Sequence, residues 1–244
     1  MARQATVELR AGPAVVRALR GSDEEWLREL DRDTPVPRAT TELLSRCVLR
    51  LGGAAATLDA IRALTLFDRD RLVLAAWRLS LGPRMELVLR CPTCDALMDA
   101  DVEVDDSPPG SAPAPGARVR LPTGGDLEAI AGAEDPAMAL LERCAVDSTA
   151  ARGALEEELE RLDPGAIAEL DADCPECGAS FTTALDPAMA LLAELGRRQP
   201  QLDRDVHLLS LHYHWPLREI LGMARLQRRA YVERLLSQLD VAAA

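Results

Sequence analysis

The sequence predicts an α+β protein, mainly α-helical, in which a small split ribbon of short antiparallel strands joins N- and C-terminal helical segments. Three observations predict it. Two matched Cys-Pro-x-Cys pairs, Cys91–Cys94 and Cys174–Cys177, sit beside stretches that alternate apolar and polar residues. Most of the remaining chain carries apolar residues at helical spacing. The hydrophobic fraction, 48% of 244 residues, is ample for a packed core.

Taken in order, residues 1–38 form an N-terminal segment of mixed character, with an acidic helical stretch over Ser22–Asp33 broken by Pro35 and Pro37. Residues 39–83 read as a helical pair. The first helix starts at a Thr40 or Thr41 cap, runs through Leu43, Leu44, Cys47, Val48 and Leu51, and ends at Gly52-Gly53. The second spans about Asp70 to Leu81, with Leu72, Val73, Ala76 and Trp77 on one face, and stops at Gly82-Pro83.

The period then changes, and residues 84–181 form the ribbon together with an insertion. Met85–Arg90 and Leu97–Val104 read as strands around the first cysteine pair. Residues 105–117, rich in Pro, Gly and Ser, read as a linker. Arg118–Leu121 is a short strand, and Asp126–Leu170 is helical. Ala179–Leu185 closes the ribbon with Phe181 inward. The last part, 182–244, is helical over roughly Asp186–Leu195, Asp203–Tyr213, Pro216–Gly222 and Arg225–Leu239. The string Asp-Pro-Ala-Met-Ala-Leu-Leu occurs at both 135 and 186, and reads as two independent helix starts with proline at the first helical position.

Two residues between cysteines let both sulfurs of a tight turn face one ion, and two such turns complete a tetrahedral site. Cys91, Cys94, Cys174 and Cys177 are therefore expected to bind one structural zinc ion. Gly178 supplies a left-handed position where the second turn closes; Asp95 stands at the equivalent place in the first. Seventy-nine residues separate the two pairs, which chain entropy tolerates because closure cost grows only logarithmically with length. The competing reading is a redox dithiol, but Asp95–Asp106 alternates instead of opening the long helix such a motif requires. Cys47 and Cys144 lie among helical apolar residues and read as core.

Formal charge is −12, with 28 arginines, no lysine and 40 acidic residues, which speaks against broad binding to nucleic acid or to an anionic membrane. With no signal-peptide run and no apolar stretch of about 20 residues, the expected location is cytoplasmic. Nucleophile elbow, phosphate loop and metalloprotease helix are all missing, so neither an enzyme nor a small-molecule substrate is expected. His207, His212 and His214 do not share one helical face, and read as structural or solvated.

Aromatic residues are scarce, yet three of seven lie between 213 and 231. Tyr213, Trp215 and Tyr231 are interspersed with Arg218, Arg225, Arg228, Arg229 and Arg234. Aromatic side chains with arginine are the composition of binding hot spots, and Tyr213, Trp215, Arg228, Arg229 and Tyr231 are the candidate partner surface. The bland alternative is helix packing by the rings with solvated arginines around them.

Two stretches resemble the baseplate hub assembly proteins of contractile phage tails and contractile injection systems. The first comprises Leu43-Leu-Ser-Arg-Cys-Val, Asp68-Arg-Asp-Arg-Leu, Trp77-Arg-Leu-Ser-Leu-Gly and Glu86-Leu-Val-Leu-Arg-Cys-Pro-Thr-Cys. The second runs from Val206-His-Leu-Leu-Ser-Leu-His-Tyr-His-Trp-Pro through Arg228-Arg229-Ala-Tyr231. The resemblance covers about two-thirds of the chain; Asp95 departs from the glycine usual in that family. It implies a non-catalytic, cytoplasmic assembly chaperone or minor baseplate component whose partners are hub or spike-type protein subunits. A zinc-ribbon regulator associated with nucleic acid and a CxxC redox protein are the alternatives.

Overall fold

A computed structural model describes residues 3–104, 118–146, 151–162 and 168–243. The expected linker at 105–117 lies outside the described residues. The fold is α+β, with its strands in small antiparallel sheets.

The N-terminal segment is more ordered than its mixed composition suggests. Strands β1 (Gln4–Leu9) and β2 (Gly12–Arg17) form a hairpin, followed by helix α1 (Gly21–Glu29). Val7 and Leu9 face inward while Thr6 and Glu8 face water, the alternation of a half-buried strand. Helix α2 (Val36–Cys47) starts earlier than expected, with Pro37 in its first turn, where a missing N–H costs nothing. It also ends earlier. At Val48 the backbone turns extended and becomes β3 (Val48–Leu51), which pairs with β2 and, across the turn, with β4 (Ala54–Ala55). Gly52 and Gly53 are therefore the hairpin turn and not a helix stop; both have positive φ, +53° and +89°, as such a turn demands.

Helix α3 (Leu58–Arg62) and helix α4 (Leu66–Ser80) follow, each capped by a threonine hydroxyl, Thr57 and Thr65. Helix α4 lies on the sheet and buries Leu72, Val73, Ala76 and Trp77 against Val7, Leu9, Ala14 and Val16, with Leu43, Leu44 and Cys47 of α2 in the same core. The Trp77 indole donates to the carbonyl of Arg84, 3.0 Å away, fixing where the next strand begins.

Strands β5 (Arg84–Arg90) and β6 (Leu97–Glu103) form the first ribbon hairpin in continuous register, from Arg84 opposite Glu103 to Arg90 opposite Leu97. Met85 and Val104 are buried and root it in the main core. Beyond 117, Arg118–Leu121 is not a full strand; it makes a single bridge, Val119 to Ala145. Helices α5 (Gly124–Ile130), α6 (Pro136–Cys144) and α7 (Arg152–Leu162) make the insertion, in which α6 and α7 share a small cluster of Val119, Leu141 and Leu155.

The helical expectation for 126–170 fails at its end. Ala168–Asp173 is strand β7, paired with β8 (Ser180–Leu185) from Ala168 opposite Leu185 to Asp173 opposite Ser180. Its Ala-Glu-Leu composition favours helix, but the hairpin partner decides. Phe181 is half-buried.

Helix α8 (Pro187–Arg197) returns to the main core with Leu191 and Leu195, so residues from both ends of the chain share one interior. Helices α9 (Gln199–Tyr213), α10 (Leu217–Gly222) and α11 (Arg225–Ala243) build a third cluster around Leu209, Ile220 and Val232. No helix among the described residues is long and apolar enough to cross a membrane.

Candidate metal centre

Each cysteine pair occupies the turn of its own hairpin, β5–β6 or β7–β8, and the two turns are built alike. The N–H of Cys91 donates to Ala96 O at 2.9 Å, and that of Cys174 to Ala179 O at 2.9 Å. Asp95 N–H returns to Cys91 O at 3.0 Å, and Gly178 N–H to Cys174 O at 2.9 Å. Asp95 and Gly178 both adopt the left-handed conformation, φ +60° and +70°. Asp is among the few non-glycine residues that adopt it at modest cost, which is how the first turn forms without the glycine.

The two turns meet. Cys91 Sγ lies 3.7 Å from Cys177 Sγ, and Cys94 Sγ lies 3.7 Å from Cys174 Sγ. All four sulfurs fall within 4.8 Å of one another. Disulfides need about 2.05 Å, so none is formed. A tetrahedron of bonds of about 2.3 Å has edges of about 3.8 Å, which fits a four-thiolate metal site. Cys91 and Cys174 are buried, Cys94 and Cys177 exposed.

Burial opposes ionisation of Cys91, but the N–H groups of Cys94 and Thr93 donate to its sulfur, together with neighbouring thiols, and bring it down to about 6. For Cys94 the Ala96 N–H favours the thiolate, but the Cys177, Cys174 and Cys91 sulfurs outweigh it and push the thiol up to about 12. Cys177 is raised too, against the help of the Ala179 N–H. The Cys91 thiolate is favoured while Cys94 and Cys177 resist ionisation, and four thiolates together need a cation among them.

The remaining cysteines are core residues. Cys47 is fully buried and pushed up to about 12, by burial first and then by the Asp23 carboxylate. Cys144 is buried and raised for the same leading reason.

The candidate partner residues divide. Tyr213 stacks on Trp215 with ring centres 4.9 Å apart, and Tyr231 and Trp215 make a T-shaped pair at 5.0 Å. All three rings are half-buried against Leu209, Ile220 and Val232 and tie α9, α10 and α11 together. Arg229 is partly exposed, 3.7 Å from both Asp205 and Glu233. Arg228 is a correction. Its side chain is 0% exposed and lies between Glu24 of α1, at 2.7 Å, and Asp205 of α9, at 3.2 Å. Arg225 joins the same network through Glu24 at 2.7 Å. Arg228 therefore cannot face a partner in this fold. The acids that hold it lie 204 and 23 residues away, which no local pattern exposes. His214 ends α9 in the left-handed conformation, φ +55°, and belongs to no ligand cluster among the described residues.

The chain matches no protein-family model, no curated protein and no solved structure.

Proposed function

We propose that the chain is a non-catalytic assembly factor, held together by one structural zinc ion, for the baseplate hub of a contractile phage tail-like or injection machine. The observation that carries the zinc part is the tetrahedral spacing of Cys91, Cys94, Cys174 and Cys177. When bound, the ion cross-links two hairpins and neutralises their thiolates. Four protein ligands fill its coordination sphere and leave no position for a substrate, which favours a structural over a catalytic role. The assembly role rests on the resemblance of the two quoted stretches, and its partners would be hub or spike-type subunits.

The alternatives have less support. Both Cys-Pro-x-Cys turns lie in β-hairpins, and neither opens a helix whose N-terminus would activate a redox thiolate. The hairpin segments 84–104 and 168–185 carry nine acidic residues against Arg84 and Arg90, an unfavourable surface for phosphates.

Docking would use the exposed edges of Tyr213, Trp215 and Tyr231 together with Arg229. A quantitative pull-down against baseplate hub and spike subunits, run beside thermal melts, tests this. Arg229→Gln, which adds no like charge beside Asp205 and Glu233, should melt close to wild type and capture less partner. Failure of the wild-type chain to capture any such subunit would refute the assembly role.

A further inference from the structure

Two turns 103 residues apart share one design. In the first, Arg17 leaves β2 and closes on Asp23 in the first turn of α1, with Nη1 to Oδ2 at 2.6 Å and Nη2 to Oδ1 at 3.0 Å. The same guanidinium donates to Ala18 O and to Arg46 O. In the second, Arg120 closes on Asp126 in α5 at 2.6 and 2.8 Å, and donates to Leu121 O and Arg143 O. Each aspartate also accepts the N–H three residues before it, from Arg20 or Thr123. Each distant carbonyl belongs to an arginine followed by a buried cysteine, Arg46-Cys47 or Arg143-Cys144. Each helix opens on glycine, Gly21 or Gly124.

What the two turns hold is also alike, and the connections cross. Arg20 bridges to Ala224 just before α11, with Gly21 N–H to Met223 O and Arg225 N–H to Leu19 O, both 3.2 Å. Thr123 bridges to Thr65 just before α4, with Gly124 N–H to Leu64 O at 3.1 Å and Leu66 N–H to Pro122 O at 3.2 Å. Four residues beyond each bridge a buried arginine, Arg228 or Arg69, passes beneath the glycine. A Cβ on Gly21 would meet Arg228 Nη1 at 2.9 Å and Leu221 Cα at 3.0 Å, and one on Gly124 would overlap the Arg69 guanidinium. Neither arginine can swing away. Arg228 is held by Glu24 and Asp205, and Arg69 by Thr41 and the Pro37 carbonyl. The turn near the start of the chain thus grips its last helix, while the turn in the second half grips a helix of the first.

We infer that one clasping turn occurs twice in the chain and that the two turns clasp crosswise, each holding a helix of the other half. The partner each turn fits is that helix, α11 for the first and α4 for the second. The halves then hold each other through two grips independent of the metal, and neither folds alone. This inference stands apart from the proposed function.

The test places a protease site within 105–117 of the full-length protein and cleaves it after folding. The two fragments should co-elute on gel filtration, remain together when a chelator removes metal, and melt in one transition. In the nicked protein, Gly21→Ala and Gly124→Ala should each weaken association of the fragments by about tenfold or more. Gly153→Ala, whose added Cβ meets nothing within 4 Å, should leave it unchanged. Fragments that separate on chelation while keeping their helical circular dichroism would overturn the inference. So would glycine variants that associate as tightly as wild type. Separation on chelation accompanied by loss of helix would overturn it too, because the grips would then depend on the metal.

Discussion

Cys91 and Cys177 stand 86 positions apart in the chain, yet their sulfurs are 3.7 Å apart. Loop closure on that scale costs a few kcal/mol, and the contact persists because each turn is prebuilt by its own hairpin. Bringing the turns together then requires only the docking of two rigid units and a cation. Asp95 is the weaker point of that prebuilding. Asp95→Gly should stabilise the holo protein by up to about 1 kcal/mol, while Asp95→Val should destabilise it, because a β-branched residue resists the left-handed backbone. Chemical denaturation of the zinc-loaded variants checks the order.

The Arg228 network predicts a different outcome from an exposed charge. Arg228→Met leaves Glu24 and Asp205 in the interior with fewer partners, and should cost about 3 kcal/mol or more. Combining it with Glu24→Gln should cost less than the sum of the single changes. Urea titrations of the four proteins provide the cycle. Additive losses would mean the pair is not coupled.

Acid should loosen the Arg120 turn. Hydrogen bonding from Arg120 holds the Asp126 carboxyl well below the usual carboxylate range against the effect of burial, with Thr123 adding to it. A depressed folded pKa means the stabilisation is complete above the unfolded value of about 3.9 and is lost as pH falls below it. Stability of the wild type should fall below about pH 4 more steeply than that of Asp126→Asn, which lacks this titration. Melting temperatures between pH 2 and 6 provide the comparison.

Cys47 and Cys144 should be inert in the folded state, since burial raises both thiols and leaves no thiolate to react. Alkylation followed by mass spectrometry on the metal-loaded protein should leave both unmodified and label them only after unfolding.

The metal-site residues were legible because their chemistry is local: two cysteines, a proline and an alternating flank are visible within about ten residues. Helix α4 and the β5–β6 hairpin were legible for the same reason. Other parts were legible only in outline. The β1–β2 hairpin is written in the alternation of Val7 and Leu9 with Thr6 and Glu8, yet two short strands carry less signal than a long helix. Strand β7 was obscured by Ala-Glu-Leu, whose helical preference is overruled by pairing with β8. The paired grips lay beyond local reading. Arg17–Asp23 and Arg120–Asp126 look like unrelated surface charges until Gly21 and Gly124 are seen to cover two equivalent arginines.

The measurement that bears most directly on the metal centre is native mass spectrometry of the purified chain with elemental analysis, beside Cys174→Ser/Cys177→Ser. One zinc ion per wild-type chain, absent from the double variant, is the expected result. Wild-type protein that holds no zinc when refolded with it, or a double variant that keeps a full equivalent, would contradict the shared four-cysteine site.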